Sequence, residues 1–442
     1  MYKVGFVSLG CPKNLTDTES MIGLLGGEYE IVNDPMVADI IIVNTCGFIE
    51  SAKQESIDTV LEMAQYKEKG RLKKLIVTGC LAQQYHGELL KEIPEADAVI
   101  GTGSYQDILK VVAKTLEGGR PEVIGDINGE IPENLPRVLA TPKYSAYLKI
   151  AEGCDNHCTY CIIPFLRGKF RSRKEENILS EAKALAAGGV SEIILVAQDI
   201  TCYGKDLYGK ATLAEILKKL SEIDGIHWIR LHYCYPERVT DELIDEIAVN
   251  PKICKYIDIP MQHASDKILK AMGRHVTKKQ LYELTLKLRE KIPDIVIRTT
   301  FITGFPGETK ADFEELKEFI KEMKFDKMGV FPFSCEEGTP AAKLGGQVAE
   351  EIKKKRADEL MELQQEISLE KGQGKIGKTL EVLCERQLPD GRYEGRSGGD
   401  SPEIDGSVTF EGDNVKPGDY VNVLILDAGE YDLEGKIPYN FD

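Results

Sequence analysis

From residue 1 to about 118, short runs of β-branched and aliphatic residues alternate with stretches whose apolar positions recur at helical spacing. The runs are Lys3–Ser8, Tyr29–Asn33, Asp39–Asn44, Lys74–Thr78 and Ala98–Ile100; helical patterns cover Leu15–Leu25, Glu50–Lys67, Ala82–Lys91 and Tyr105–Leu116. Strand–helix alternation at these lengths predicts a doubly wound parallel α/β domain over residues 1–118. Gly118-Gly119 and the prolines at 121, 132, 136 and 142 then mark residues 119–143 as a linker.

A second series occupies residues 144–372. Its candidate strands are Tyr147–Ala151, Glu192–Ala197, Trp228–His232, Tyr256–Ile259, Val296–Ile302 and Lys327–Phe333. Repetition of this unit over such a length predicts a full or partial (β/α) barrel rather than another small open sheet. A charged helix, about Ala349–Lys371, closes the series, with Ile352, Leu360, Leu363 and Ile367 spaced to pack on the barrel. Residues 373–442 change character again. Thr379–Cys384, Ser407–Phe410 and Tyr420–Leu426 alternate without helical period among frequent Gly and Asp, which predicts a small antiparallel barrel or sandwich.

Composition narrows the function. The chain has 442 residues, 42% of them apolar, enough for several buried cores. No apolar run reaches the roughly 18 residues of a membrane span, and the N-terminus reads as a strand rather than a signal peptide. A cytoplasmic protein with no membrane partner is expected. The net charge of −17 argues against wrapping nucleic acid by bulk attraction, which needs clustered Lys and Arg. The acid is concentrated at the end of the chain: residues 373–442 carry 7 basic and 15 acidic side chains, a net of 7 − 15 = −8. Eleven cysteines without an export signal favour metal or redox chemistry over disulfides.

Three of those cysteines form the run Cys154-Asp155-Asn156-His157-Cys158-Thr159-Tyr160-Cys161, directly after the first barrel strand. Thiolates suit iron–sulfur clusters or zinc. Structural zinc wants a fourth ligand, and His157 could reach the same ion only by straining the loop. Three ligands suit a [4Fe–4S] cluster with one open iron. This spacing at the head of a barrel resembles the radical S-adenosylmethionine (SAM) superfamily. The resemblance implies that SAM chelates the open iron, that Tyr160 lies by its adenine, and that reductive cleavage yields a 5′-deoxyadenosyl radical. Thr303–Thr309, with Gly304 at a strand's C-terminal end, Arg298 on the same strand and Gln198 after Glu192–Ala197 are further candidates for lining the site. A packing role for Tyr160, and a plain β–α turn with Thr309 as N-cap and Asp312 three residues on, fit the residues equally well.

The first domain holds only three cysteines, and each follows a strand: Val7-Ser8-Leu9-Gly10-Cys11, Val43-Asn44-Thr45-Cys46 and Val77-Thr78-Gly79-Cys80. In an open parallel sheet these strand ends share one edge, where ligands bind. A second cluster, again with an open iron, is expected on Cys11, Cys46 and Cys80. Cys202, Cys234, Cys254, Cys335 and Cys384 have no ligand spacing and read as structural, and the remaining histidines as packing or surface residues.

This three-plus-three arrangement resembles the radical SAM methylthiotransferase family over nearly the whole chain. The family pattern implies a cluster domain, a radical SAM barrel and a C-terminal TRAM domain. It also implies two [4Fe–4S] clusters and SAM used twice, as radical source and as methyl donor, to replace a hydrogen by –SCH3. An electron donor such as a flavodoxin or ferredoxin and a source of sulfur are implied partners. Ser8-Leu9-Gly10-Cys11-Pro12-Lys13-Asn14 looks like the branch that modifies ribosomal protein S-twelve, whereas the tRNA-modifying branch has Gln-Met in place of Pro12-Lys13. The barrel loop Gly153–Arg173, ending Pro164–Arg173, occurs in both branches in similar form and does not separate them. The acidic tail suits a basic ribosomal protein by complementary potential and disfavours tRNA, while a solvated face accounts for the same acids without a partner. If the branch holds, the target is the β-carbon of an aspartate. The rival expectations are a tRNA adenosine methylthiotransferase, and a non-enzymatic iron–sulfur or zinc protein that binds ribosomes.

Overall fold

Ile40-Ile41-Ile42-Val43 is apolar at every position and buried on both faces, as a central strand of a covered parallel sheet must be. In the computed structural model, which describes residues 1–438, Ile41 and Val43 enter one core and Ile40 and Ile42 the other. The first sheet contains β1 (Lys3–Ser8), β2 (Glu30–Ile31), β3 (Ile40–Thr45), β4 (Lys74–Gly79), β5 (Ala98–Ile100) and β6 (Glu122–Val123). Its order is β2-β1-β3-β4-β5-β6, all parallel. β6 lies within residues that read as linker. The helix expected over Ala82–Lys91 is instead two short ones, Cys80–Gln84 and Leu89–Glu92, parted at Gly87, where φ is +79°. The order reverses between β1 and β3, so the C-terminal ends of those strands open a crevice. Cys11 and Cys46 follow them.

The second sheet contains β7 (Ser145–Lys149), β10 (Glu192–Val196), β11 (Trp228–Leu231), β12 (Ile253–Asp258), β13 (Val296–Thr303) and β14 (Lys327–Pro332), with the short pair β8 (Ala151–Glu152) and β9 (Arg171–Ser172) apart from it. All six strands are parallel, in the order β14-β13-β12-β11-β10-β7, and the edge strands do not pair: the barrel is partial. The run expected as one strand over Tyr147–Ala151 divides, because Ala151–Glu152 leaves the sheet to pair antiparallel with β9. That pair is the base of the cysteine loop.

The closing helix, Glu350–Gln373, buries Leu360 and Ile367 in the barrel's outer core, with Leu363 beside them. Ile352 departs from expectation: it is exposed, and Lys353 is buried in its stead. The Lys353 stem lies by the Phe333 ring and its Nζ donates to the Phe333 carbonyl at 3.0 Å.

The last unit is a closed barrel of β15 (Thr379–Gln387), β16 (Tyr393–Ser397), β17 (Val408–Glu411), β18 (Tyr420–Ala428) and β19 (Leu433–Lys436), ordered β15-β16-β17-β19-β18. It is not wholly antiparallel, since β17 and β19 run parallel. β16 carries no strand signal in the sequence because it is Tyr-Glu-Gly-Arg-Ser. Its glycine is there for close approach: a Cβ on Gly395 would stand 2.2 Å from the Leu383 carbonyl oxygen.

This barrel docks on the N-terminal mouth of the partial barrel. Glu192, the first residue of β10, is fully buried and accepts hydrogen bonds from Arg396, from Arg230 Nε (3.1 Å) and from Ser145 Oγ (2.9 Å). The loop between β16 and β17 enters the mouth. There Lys327 pairs with Asp400 (2.8 Å), Ser401 Oγ meets His232 Nε2 (2.8 Å) and Tyr256 Oη donates to Asp405 (3.0 Å). Among the described residues no helix is long and apolar enough to cross a membrane.

Burial alone would raise the Glu192 pKa, but Arg396 and Arg230 outweigh it and hold the carboxyl at about 2, against an ordinary 4.5. Lys327 does the same for Asp400, which also sits at about 2. A depressed carboxylate stabilises the fold fully above its unfolded pKa and ceases to as pH falls through its folded one. In denaturant titrations the Glu192 and Asp400 contributions should therefore be flat above pH 4.5 and lost progressively toward pH 2, on top of a loss that begins below pH 6.5 because burial holds His232 well below its ordinary pKa. Glu192→Gln should cost about 3 kcal/mol at neutral pH, because it strands two buried guanidinium groups.

Candidate active site

The three cysteines of the first domain meet where their strands end. Cys11 is the N-cap of the helix Pro12–Leu25, Cys46 follows β3, and Cys80 opens the helix that follows β4. Gly10, at φ +84°, permits the approach: a Cβ there would lie 3.0 Å from Cys46 Sγ. Asn14 stitches the loops together. Its Nδ2 donates to the carbonyls of Leu9 (3.0 Å) and Thr45 (2.9 Å), and its Oδ1 lies 3.7 Å from Cys80 Sγ. Asn44 donates to the Asn14 carbonyl at 2.8 Å, and Thr45 Oγ1 to that of Thr78 at 2.5 Å. Burial pushes the Cys46 thiol up to about 11 and the charges of Cys80 and Cys11 add to it. Cys80 is raised by burial and by Cys11. At Cys11 burial also acts upward, but Lys13 and Arg167 override it and lower the thiol. One member of the triad is thus biased to thiolate.

The second triad lies in the loop between β8 and β9. Cys154 is pushed up to about 11 by burial, and Cys161 higher still, with Cys158 contributing to both. Cys158 Sγ is 2.7 Å from Tyr235 Oη. His157 points to solvent from a left-handed backbone, φ +49°, away from any ligand role in the loop. Within each triad the thiols are near enough to perturb one another. Yet among the described residues no three His, Cys, Asp or Glu side chains gather closely round one point as a single ion requires. Thiols are soft donors, and the donor type of both triads suits iron–sulfur chemistry. All eleven cysteines are free; Cys202, Cys234, Cys254 and Cys384 are buried, whereas Cys335, read as structural, is exposed.

The triads share an interface. Cys80 packs directly on Ile162 and Leu166, the residues that follow Cys161 in the chain. Next to that contact lies a buried four-charge network. Arg167 Nη1 reaches Asp17 (2.7 Å) and Glu152 (3.2 Å), while Lys149 Nζ reaches the same two carboxylates at 2.5 and 2.9 Å. Arg167 Nη2 donates to Asn14 Oδ1. Burial would raise the Glu152 pKa, but Lys149 and Arg167 hold it far below the carboxylate range. A second pin, Lys53–Glu336 at 2.5 Å, is also buried.

The other residues singled out in the sequence lie as follows. Tyr160 packs beside Phe305 and Phe333. Gly304, at φ +71°, abuts the Lys353 stem, and the amides of Gly304 and Phe305 donate to Glu308 at 2.7 and 3.3 Å. Thr309 caps its helix, with Asp312 completing a capping box. Gln198 Nε2 donates to Glu152 (2.7 Å), leaving its Oε1 buried without a partner. Arg298 pairs with Asp258 at 2.9 Å and faces Asp405 at 3.6 Å. Nothing in the sequence pattern singles out Lys13, Asn14, Asp17, Lys149, Glu152, Arg167, Tyr233 or Tyr235: Lys13 and Asn14 stand in the Cys11 motif and Arg167 follows the Cys161 loop, but single charges and amides carry no spacing signal of their own.

Fold and site together define a three-part radical SAM enzyme. Residues 148–320 match the model described as Radical SAM superfamily, 3–101 that of Uncharacterized protein family UPF0004, and 376–437 the TRAM domain. The chain is 53% identical over 441 residues to the ribosomal protein uS12 methylthiotransferase RimO of Clostridioides difficile (strain 630), covering 99% of each chain. It is 54% identical over 442 residues to the protein of that name from Desulforamulus reducens, covering 99% of this chain and 100% of the relative. It belongs to the ribosomal protein uS12 methylthiotransferase family and is a radical SAM methylthiotransferase. Membership implies SAM and a [4Fe–4S] cluster. Among solved structures, the radical SAM methyltransferase TsrM from Kitasatospora setae shares the fold, with TM-score 0.56 and 12% identity over 77% of this chain and 74% of that one. The cobalamin-dependent radical enzyme OxsB does so at TM-score 0.50 and 16% identity, over 83% and 56%.

Removing Arg167 leaves Asp17 and Glu152 with Lys149 alone. Arg167→Leu should lower stability by about 3–5 kcal/mol. The loss should appear in calorimetry and as faster proteolysis of the loops at the interface; a variant that melts like the parent would show that Arg167 does not hold the two units together.

Proposed function

We propose that the chain methylthiolates the β-carbon of an aspartate in ribosomal protein S12. In this reading Cys154, Cys158 and Cys161 hold the SAM-binding [4Fe–4S] cluster, and Cys11, Cys46 and Cys80 hold an auxiliary one. The observation that carries the reading is the packing of Cys80 on Ile162 and Leu166, which sets two thiol triads side by side at one interface. When bound, the first cluster with SAM supplies the one-electron chemistry that removes an unreactive hydrogen, and the second supplies sulfur, methylated from another SAM.

The protein's own contribution is position and exclusion. Asn14 and Arg167 fix the auxiliary loops against the SAM loop, so a carbon seated between the triads meets both without rearrangement. The four-charge network is largely buried and net neutral, so each charge offsets the desolvation of its neighbours and the junction is held in register. In this reading Tyr160 supports the adenine side from its apolar cluster and Gln198 and Gly304 line the approach to SAM, with Arg298 set deeper in the barrel between Asp258 and Asp405. A flavodoxin or ferredoxin supplies electrons, and the compartment is the cytoplasm. The acidic C-terminal barrel, with seven basic residues against fifteen acidic ones from residue 373, favours a basic ribosomal protein over tRNA.

Replacing Cys154, Cys158 and Cys161 by Ala should halve the iron content and abolish 5′-deoxyadenosine formation. Replacing Cys11, Cys46 and Cys80 should leave SAM cleavage measurable and stop thiolation; a full iron load in that variant would refute the auxiliary site. Incubated anaerobically with SAM and reductant, the wild-type protein should add one –SCH3 to ribosomal protein S12. Mass gain on tRNA alone would reverse the substrate assignment.

A further inference from the structure

Nine lysine and arginine side chains are buried among the described residues. Eight of them pair with a carboxylate, from Lys53 with Glu336 to Arg396 with Glu192. Lys13, only 6% exposed, makes no such pair among the described residues. What meets its ammonium is the face of the Tyr233 ring, whose centroid lies 3.6 Å from Nζ. A ring face offsets part of the desolvation of a buried cation and accepts none of its three hydrogens.

The place of this cation matters as much as its isolation. Lys13 lies two residues beyond Cys11, in the first turn of Pro12–Leu25, and Tyr233 lies two residues beyond the C-terminal end of β11. Their contact therefore spans the gap between the first domain and the partial barrel, on the side where both triads lie. Tyr233 holds the ring there from a left-handed backbone, φ +62°, with its amide donating to Asp258 at 3.1 Å. Strain of this kind in a non-glycine residue persists where the surroundings impose it, and it gathers at ligand sites. The nearby acid Asp258 is already taken by Arg298. A buried ammonium beside the two-triad site, with the Tyr233 ring face and the Cys11 thiol as neighbours but no carboxylate of its own, is suited to an anion brought from outside.

We propose that Lys13 is a substrate-binding residue that receives the carboxylate of the target side chain and so selects an acid over its amide. This rests on the aspartate reading above. It differs from the plain alternative, that Lys13 only offsets thiolate charge at Cys11, in depending on the substrate's own charge.

The test uses reconstituted holoenzyme with intact ribosomal protein S12, either with its target aspartate or with asparagine there, reading equilibrium binding and KM. The wild type should prefer the aspartate protein by about ten- to a hundredfold. Lys13→Met should lose that preference by weakening only the aspartate form, and Lys13→Arg should restore most of it. Iron content should stay as in the wild type, and the SAM-binding cluster's paramagnetic resonance with it. If Lys13→Met loads less iron, the near-isosteric Lys13→Gln supplies the same comparison. Retention of the aspartate preference in the neutral variants, with or without altered cluster spectra, would overturn the assignment to Lys13. A wild type that does not distinguish the two proteins would instead overturn the aspartate reading, and the role of Lys13 with it.

Discussion

The architecture depends on one buried junction, in which Asp17 from the first domain and Glu152, Lys149 and Arg167 from the barrel neutralise one another. Removing two acids and two bases from water is costly singly, and it becomes tolerable when each charge has two opposite neighbours and the set is neutral. The junction cannot slide, because a shift of one domain would strand several charges at once. Arg167 extends the constraint into the chemistry: its second nitrogen reaches Asn14, and Asn14 ties together the loops of Cys11, Cys46 and Cys80. A two-site reaction needs this, since misplacement of either site by about an ångström costs heavily in rate.

The opposite end of the barrel is organised by the same logic and serves a different purpose. Glu192 gathers Arg396 and Arg230, and the β16–β17 loop enters the mouth to meet Lys327, His232 and Tyr256. The C-terminal barrel thereby closes the end of the partial barrel opposite the two cysteine triads. Its own acids remain available on the outer surface, where Glu411 and Glu430 are exposed. The reactive cysteines thus gather at one mouth, while the other is given over to docking.

Much of this was legible in the sequence because it is periodic or repeated. Buried parallel strands read as continuous apolar runs, and Ile40–Val43 could be little else. The cysteines were legible because each of three follows a strand and three more fall within eight residues. The features that were missed have no period. β16 was hidden because close packing on Leu383 needs Gly395, which removes the very side chain that signals a strand. The parallel pairing of β17 with β19 is set by closure of the barrel, which no local pattern encodes. Ile352 has the right spacing for the core and is exposed, because the first turn of its helix presents Lys353 to Phe333 instead. The partners of Arg167 and the isolation of Lys13 are facts about distant segments meeting, and they become visible only when every buried charge is matched with its neighbour.

A paired-cluster site is tested most directly by iron anomalous scattering from anaerobically grown crystals of the reconstituted protein. Two compact four-iron centres are expected, one within thiolate bonding distance of Cys11, Cys46 and Cys80 and the other of Cys154, Cys158 and Cys161, each with one iron free of protein ligands. A single centre, zinc in either triad, or sulfurs joined as disulfides would contradict it.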